Sequence, residues 1–182
     1  MINWGGATAD LAGSAVTTGP YARRSARVLL VDDLDRLLLL CYLRNPSQPD
    51  LGTIWFTPGG GVLDGETLAE TAVRELREEI GLAVAPEALG EPVAFTAGQA
   101  DLGWAKGRFR DDFFFHRTSS HIVAMGELEE FERRALVGHR WWSLTELVST
   151  EQSIVPLRAA PLLADLLAGH RPGSPVVLPW HH

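Results

Sequence analysis

An α/β domain, with strands and two substantial helices packed in layers, is the fold class this sequence predicts, and three observations predict it. Arg27 to Arg44, RVLLVDDLDRLLLLCYLR, alternates and then runs apolar, as two strands about a turn do. Glu66 to Ile80 holds no Pro and no internal Gly and is rich in Ala, Leu, Glu and Arg, the composition of a helix. Pro156 to Ala168 reads as a second, amphipathic helix that ends at Gly169.

Taken in order, residues 1–21 form a flexible arm rich in Gly, Ala, Ser and Thr. The first two strands turn at Asp32-Asp33-Leu34-Asp35, and the unbroken Leu37–Leu40 run suits a strand buried on both faces. Asn45–Gly52 is a polar loop, followed by a short Ile54–Phe56 strand and the glycines Gly59-Gly60-Gly61. Glycine at Gly81, just past the last periodic residue of the Glu66–Ile80 helix, suits a left-handed C-terminal position. Pro92–Thr96 and Asp112–His116 read as strands separated by an excursion, Gly98–Gly107. Leu128–Leu136 is helical or irregular, and Arg140–Trp142 is a last strand. Ser143 and Glu146 stand at capping-box spacing for a short helix at Leu144–Val148. Residues 22–150 make the main domain, and 151–182 add a helix and tail packed on it.

At 182 residues the chain suffices for one domain with a real core. A net charge of −7 and the absence of any Lys/Arg run argue against a general nucleic-acid or membrane-surface binder. Cys41 is the single cysteine, so no internal disulfide forms and a reducing cytoplasm is the expected compartment. No apolar run approaches the ~18 residues of a membrane-spanning helix, and the N-terminal residues lack the marks of a signal peptide.

The chemistry lies in the Glu66–Ile80 helix and the loop before it. At ~100° per residue, Leu68, Ala72, Val73, Leu76 and Ile80 make an apolar stripe, and Glu75, Glu78 and Glu79 share an adjoining face. Carboxylates so crowded repel one another; a hard divalent cation, Mg²⁺ or Mn²⁺, removes the conflict because such ions take oxygen ligands. The plainer reading is a solvated acidic face tempered by Arg74 and Arg77. Arg74 stands four residues before Glu78, close enough to pair with it. A glycine loop running into a helix also lets backbone approach an anionic phosphate closely. Glu66, near the helix start, reads as a cap first and an outer metal contact second.

Gly60 to Leu82, GGVLDGETLAETAVRELREEIGL, matches every fixed position of the pattern G-x5-E-x7-R-E-U-x-E-E-x-G-U, with U aliphatic. On this stretch the chain resembles the Nudix hydrolases over roughly residues 22–150. The resemblance implies an α/β/α sandwich with a mixed sheet and metal-dependent hydrolysis of a diphosphate linkage in a nucleoside diphosphate derivative. It implies metal ligands at Glu75, Glu79 and Glu78 and at the Gly59 carbonyl, with Glu78 also a candidate to activate water and Arg74 orienting the glutamates. Gly60, Arg44 and Arg27 are candidate substrate contacts. A further glutamate after the box is common in the family, and Glu127, Glu129, Glu130 and Glu132 all stand in the right region.

His116, His121 and His139 are candidates for a base or a phosphate contact, though each reads more simply as an ordinary polar residue. Trp55, Phe114 and Trp142 are candidates to stack on a base, with packing the simpler reading. Ala97 and Gly98 stand where the ADP-ribose and dinucleoside-polyphosphate subclasses carry Pro and Tyr. Nucleoside triphosphates are therefore the preferred substrates. The alternative is a non-catalytic module of the same fold that binds a nucleotide as a regulator. An isoprenyl-diphosphate isomerase is disfavoured, because Cys41 sits inside a strand. The apolar faces of Leu157–Leu167 and Val176–Trp180 need a surface, and a homodimer is one way to provide it.

Overall fold

The computed structural model describes residues 20–102, 105–119, 121–124 and 134–181. Strand β1 (Arg23–Val31) and strand β2 (Leu37–Leu43) form the expected hairpin. Its turn is tied by Asp32, whose Oδ1 accepts from the backbone N–H of Leu34 and Arg36 at 3.0 and 2.9 Å, while Asp35 takes φ of 59°. Next come β3 (Thr53–Phe56), β4 (Gly59–Gly61) and helix α1 (Leu68–Ile80). The chain continues through β5 (Ala94–Asp101), β6 (Lys106–Arg117), β7 (Leu136–Trp142), α2 (Leu144–Ser149), β8 (Ile154–Val155), α3 (Ala159–Leu167) and β9 (Val176–Leu178).

Beyond the turn β1 and β2 part company: the two strands pair only at Val31–Leu37. β4 takes the vacated edge of β1 at Ser25–Arg27, and β7 lies along β2 from Leu37 to Tyr42. The strand order is β8-β3-β2-β1-β6-β5-β9, with β1–β6, β3–β8 and β5–β9 parallel. The sheet is therefore mixed, and its split at β1 brings the glycine strand β4 against the start of β1.

Leu37 to Leu40 are fully buried, and their alternation explains why all four are apolar. Leu38 and Leu40 join Val28, Leu30 and Phe114 under Ala72, Leu76 and Ile80 of α1. Leu37 and Leu39 join Leu29, Val31, Phe113 and Phe115 under Leu147 of α2 and Leu162, Leu163 and Leu166 of α3. Helices thus cover both faces, giving three layers. The apolar face of α3 that motivated a homodimer is spent on the chain's own sheet, and so is Leu178, so this face supplies no argument for a dimer.

The structure corrects several expectations. Gly98 and Gly107 belong to one long antiparallel pair, β5–β6, and not to an excursion. Gly98 is tolerated inside a strand because the Trp180 indole fills the space of its missing side chain. Helix α3 starts at Ala159, after Arg158 at φ 64°, where the pattern suggested Pro156. β8 and β9, two and three residues long, are too short to show any alternation in the sequence. Leu128–Leu136 lies mostly outside the described residues; of its end, Arg134 and Ala135 are helical and Leu136 opens β7.

Candidate active site

Helix α1 begins at a full capping box: Thr67 Oγ1 accepts from Glu70 N–H at 3.2 Å, and Glu70 accepts from Thr67 N–H at 2.8 Å. The cap is therefore Thr67, not Glu66. Glu66 instead accepts from Leu63 N–H at 3.1 Å and Thr71 Oγ1 at 2.8 Å, and it binds Arg74. Gly81 closes the helix at φ 72°, with Leu82 N–H on Leu76 O at 3.1 Å.

Arg74 organises the carboxylates. Its Nε donates to Glu66 Oε1 at 2.7 Å, and its Nη1 donates to Glu75 Oε1 at 2.8 Å and Glu78 Oε2 at 3.0 Å. Its Nη2 donates to the Gly61 carbonyl at 2.9 Å and Glu66 Oε2 at 3.1 Å. One side chain thereby ties the helix face to the glycine strand. The Arg74 guanidinium and bonds from Thr71 and Leu63 outweigh desolvation and hold the Glu66 pKa down to about 2. Burial pushes the Glu75 carboxyl above its ordinary range against the pull of Arg74, with Glu78 adding to the rise. Glu79, 3% exposed, accepts from Tyr42 Oη at 2.9 Å and from Gly59 N–H at 2.7 Å.

The glycine strand is shaped by what surrounds it. Gly59, at φ 134°, lies so close to β1 that a Cβ there would stand 2.6 Å from Arg27 Cα. A Cβ on Gly60 would run into the Glu75 carboxylate. Arg27 donates from Nη1 to the Thr57 and Gly59 carbonyls at 3.1 and 3.0 Å and lies 5.2 Å from the Phe56 ring centroid. It braces the loop from beneath.

The other candidates lie elsewhere. Arg44, one residue past β2, donates to Ser153 Oγ, and no described contact links it to the carboxylates. His121 Nε2 meets the Ile80 carbonyl at 2.8 Å, at the far end of α1. His116 is half-buried beside Ala88, and burial lowers its pKa. His139 is exposed on β7. Phe114 and Trp142 are core residues, and Trp55 packs edge-on against Trp142 at 5.1 Å. Cys41 is a buried free thiol. Glu127, Glu129, Glu130 and Glu132 fall outside the described residues. Sequence reasoning missed Tyr42 and Thr71, which anchor Glu79 and Glu66; only their position inside an apolar strand and an apolar helix stripe hinted at buried hydroxyls needing partners.

The family model of the NUDIX domain matches residues 22–166. The chain belongs to the Nudix family. Diphosphoinositol polyphosphate phosphohydrolase 2 of Mus musculus and of Homo sapiens is 27% identical over 128 residues, covering 69% of this chain and 59% of the relative. The chain therefore spans about three-fifths of the length of these curated relatives. Among solved structures, the MutT protein from Methanosarcina mazei Go1 has TM-score 0.55 at 19% identity, covering 84% of this Nudix chain and 97% of that one. The NUDIX domain of Shewanella oneidensis NrtR, complexed with ADP ribose, has TM-score 0.57 at 16% identity, covering 79% and 87%. These structures establish the shared Nudix fold, an α/β/α arrangement on a mixed sheet.

Nudix hydrolases generally use divalent metal. Among the described residues no three acidic, His or Cys side chains are placed to hold a metal ion as they stand, because the carboxylates are turned onto Arg74, Tyr42 and Gly59. The donor chemistry nonetheless fits a hard dication. Three carboxylates share one guanidinium, a fourth stands beside them, and the bare Cα of Gly60 leaves room against Glu75.

Proposed function

We propose that this chain is a Nudix pyrophosphohydrolase that uses Mg²⁺ or Mn²⁺ to cleave a diphosphate linkage in a small nucleoside diphosphate derivative, with nucleoside triphosphates preferred. The observation that supports this reading is the charge balance at the box: Glu66, Glu75 and Glu78 all converge on Arg74, with Glu79 beside them. So much negative charge suits a cation and, through it, a polyanionic substrate. Glu75, Glu78, Glu79 and the Gly59 carbonyl would hold the ion, the carbonyl through the lone pair that Arg27 leaves open. When bound, the ion supplies charge neutralisation at the diphosphate oxygens and a lowered water pKa.

The chain's own groups do the rest. Arg74 fixes where the carboxylates stand, and the Gly59–Gly61 backbone lets phosphate approach closely. Glu78, with a side chain 33% exposed, is the accessible carboxylate to take the proton of the attacking water. The water oxygen bonds to phosphorus as the bridging P–O bond breaks, and the leaving phosphate departs with the electron pair.

The test is a screen with Mg²⁺ or Mn²⁺ across nucleoside triphosphates, nucleotide sugars, dinucleotides and coenzymes. The name of the mouse and human relatives adds diphosphoinositol polyphosphates to that panel. Glu79→Gln and Glu75→Gln are each expected to lower kcat by about 10²-fold or more. Unchanged turnover in both variants overturns the reading. Tight binding without product over a long incubation with metal would establish instead a non-catalytic nucleotide-binding module. The retained box glutamates and Arg74 favour the hydrolase. The cytoplasm, suggested by the lone Cys41, remains the proposed compartment, and light scattering at micromolar concentration decides between one chain and a dimer.

A further inference from the structure

A row of arginines beside the box is used by none of the preceding chemistry. In the parallel register of β1 and β6, Arg24 stands opposite Arg110. Arg24 shares its face with Ala26, Val28 and Leu30, while Arg108, Arg110 and Asp112 share theirs with Phe114. All project from the face of the sheet that α1 covers further along. The row runs up to the box itself: Ala26, the next residue after Arg24 on that face, pairs with Gly60, where a Cβ would run into the Glu75 carboxylate.

Asp112, 1% exposed, pairs with Arg24 Nη2 and Arg110 Nη2, each at 2.6 Å. Arg110 is also fixed by two rings, its Cζ 3.9 Å from the Phe95 centroid and 5.9 Å from that of Tyr21. Arg108 also lies over Tyr21, its Cζ 5.3 Å from the ring centroid, and no carboxylate among the described residues pairs with it. A buried carboxylate needs one counter-charge; here it has two, with further guanidiniums alongside, in a chain of net charge −7. The Nε of Arg24 is buried with no hydrogen-bond partner. Guanidiniums locked by stacking and by a shared carboxylate lose little entropy when they bind an anion, and their planar forks match phosphate oxygens.

We infer that Arg24, Arg108 and Arg110 form a phosphate-binding rim, which takes phosphates carried by the substrate beyond the diphosphate that is cleaved. The substrate class this selects is a densely phosphorylated small molecule, whether the extra phosphates sit on a ring or in a longer nucleotide chain. The inference rests on the hydrolase reading for the site's role, but its anion binding can be measured without turnover.

Calorimetry without metal uses inositol hexakisphosphate, which has many phosphates but no diphosphate to cleave, and adenosine tetraphosphate in parallel. Wild type is expected to bind at least one of them, and the stronger binder identifies ring or chain. Arg108→Gln, which leaves the Asp112 pairs in place, and the double variant Arg110→Gln/Asp112→Asn, which keeps the net charge unchanged, are each expected to weaken binding about tenfold or more. Lys106→Gln removes one charge from an exposed pair with Asp101 outside the rim and is expected to leave binding unchanged. In steady-state assays the KM preference for phosphate-rich substrates over ADP-ribose is expected to shrink in the rim variants. Absence of binding to both probes overturns the inference, as does equal weakening by Lys106→Gln. Binding with no hydrolysis of any substrate would overturn the enzymatic reading and leave the rim standing.

Discussion

Gly60 carries no side chain because the Glu75 carboxylate occupies the place its Cβ would take. Gly60→Ala is therefore expected to displace Glu75 and lower kcat about tenfold or more, while circular dichroism shows a folded protein. Gly59→Ala is the harsher change, since φ of 134° and contact with β1 backbone leave no room to relax. It is expected to cost about 1–3 kcal/mol in urea unfolding. Asp32 gives a residue-scale pH prediction. Burial opposes its charge, but bonds from Arg36 and from the Arg36 and Leu34 N–H groups outweigh that and lower its pKa below the usual 3.8. The folded value lies below the unfolded one, so the stability it contributes is complete above about pH 4 and is lost as pH falls through the folded value. Asp32→Asn should lose stability at neutral pH and show a shallower acid limb when urea midpoints are followed from pH 6 to pH 2.5.

At the scale of elements, α1 is held by a cap at each end and a buried stripe between. Thr67→Ala removes one half of the capping box and is expected to cost about 1 kcal/mol, read as a shifted urea midpoint with unchanged slope. Much of this helix was legible in its residues. The stripe of Leu68, Ala72, Val73, Leu76 and Ile80 packs as its spacing implies, and Ser143 with Glu146 caps α2 as expected. Glu66 reads as a cap because it stands one place before Thr67, and only the path of the chain shows that the Thr67 hydroxyl takes the Glu70 N–H while Glu66 turns to Thr71 and Arg74. Arg74 pairs with Glu78 as their spacing implies, but the distant partners of the box were not legible. Tyr42 on Glu79 and Gly61 on Arg74 join residues far apart in sequence, and no periodicity reports such contacts.

For the whole molecule, α3 contributes to the same core as β1, β2 and β6. Leu163 is fully buried there, and Leu163→Ala is expected to cost about 2–5 kcal/mol in one cooperative transition shared with the box domain. A separate early transition would mean instead that the C-terminal layer unfolds on its own. The pairing of β9 with β5 has a further consequence. β5 spans eight residues, and β9 covers Ala94–Thr96 while the Trp180 indole N–H donates to Gln99 O at 3.1 Å. Without that cover the long strand would present a row of unsatisfied amides and carbonyls, the template on which chains join edge to edge. The C-terminal strand thus replaces the open first half of a long edge with one only three residues long, which shrinks the template for edge-to-edge joining.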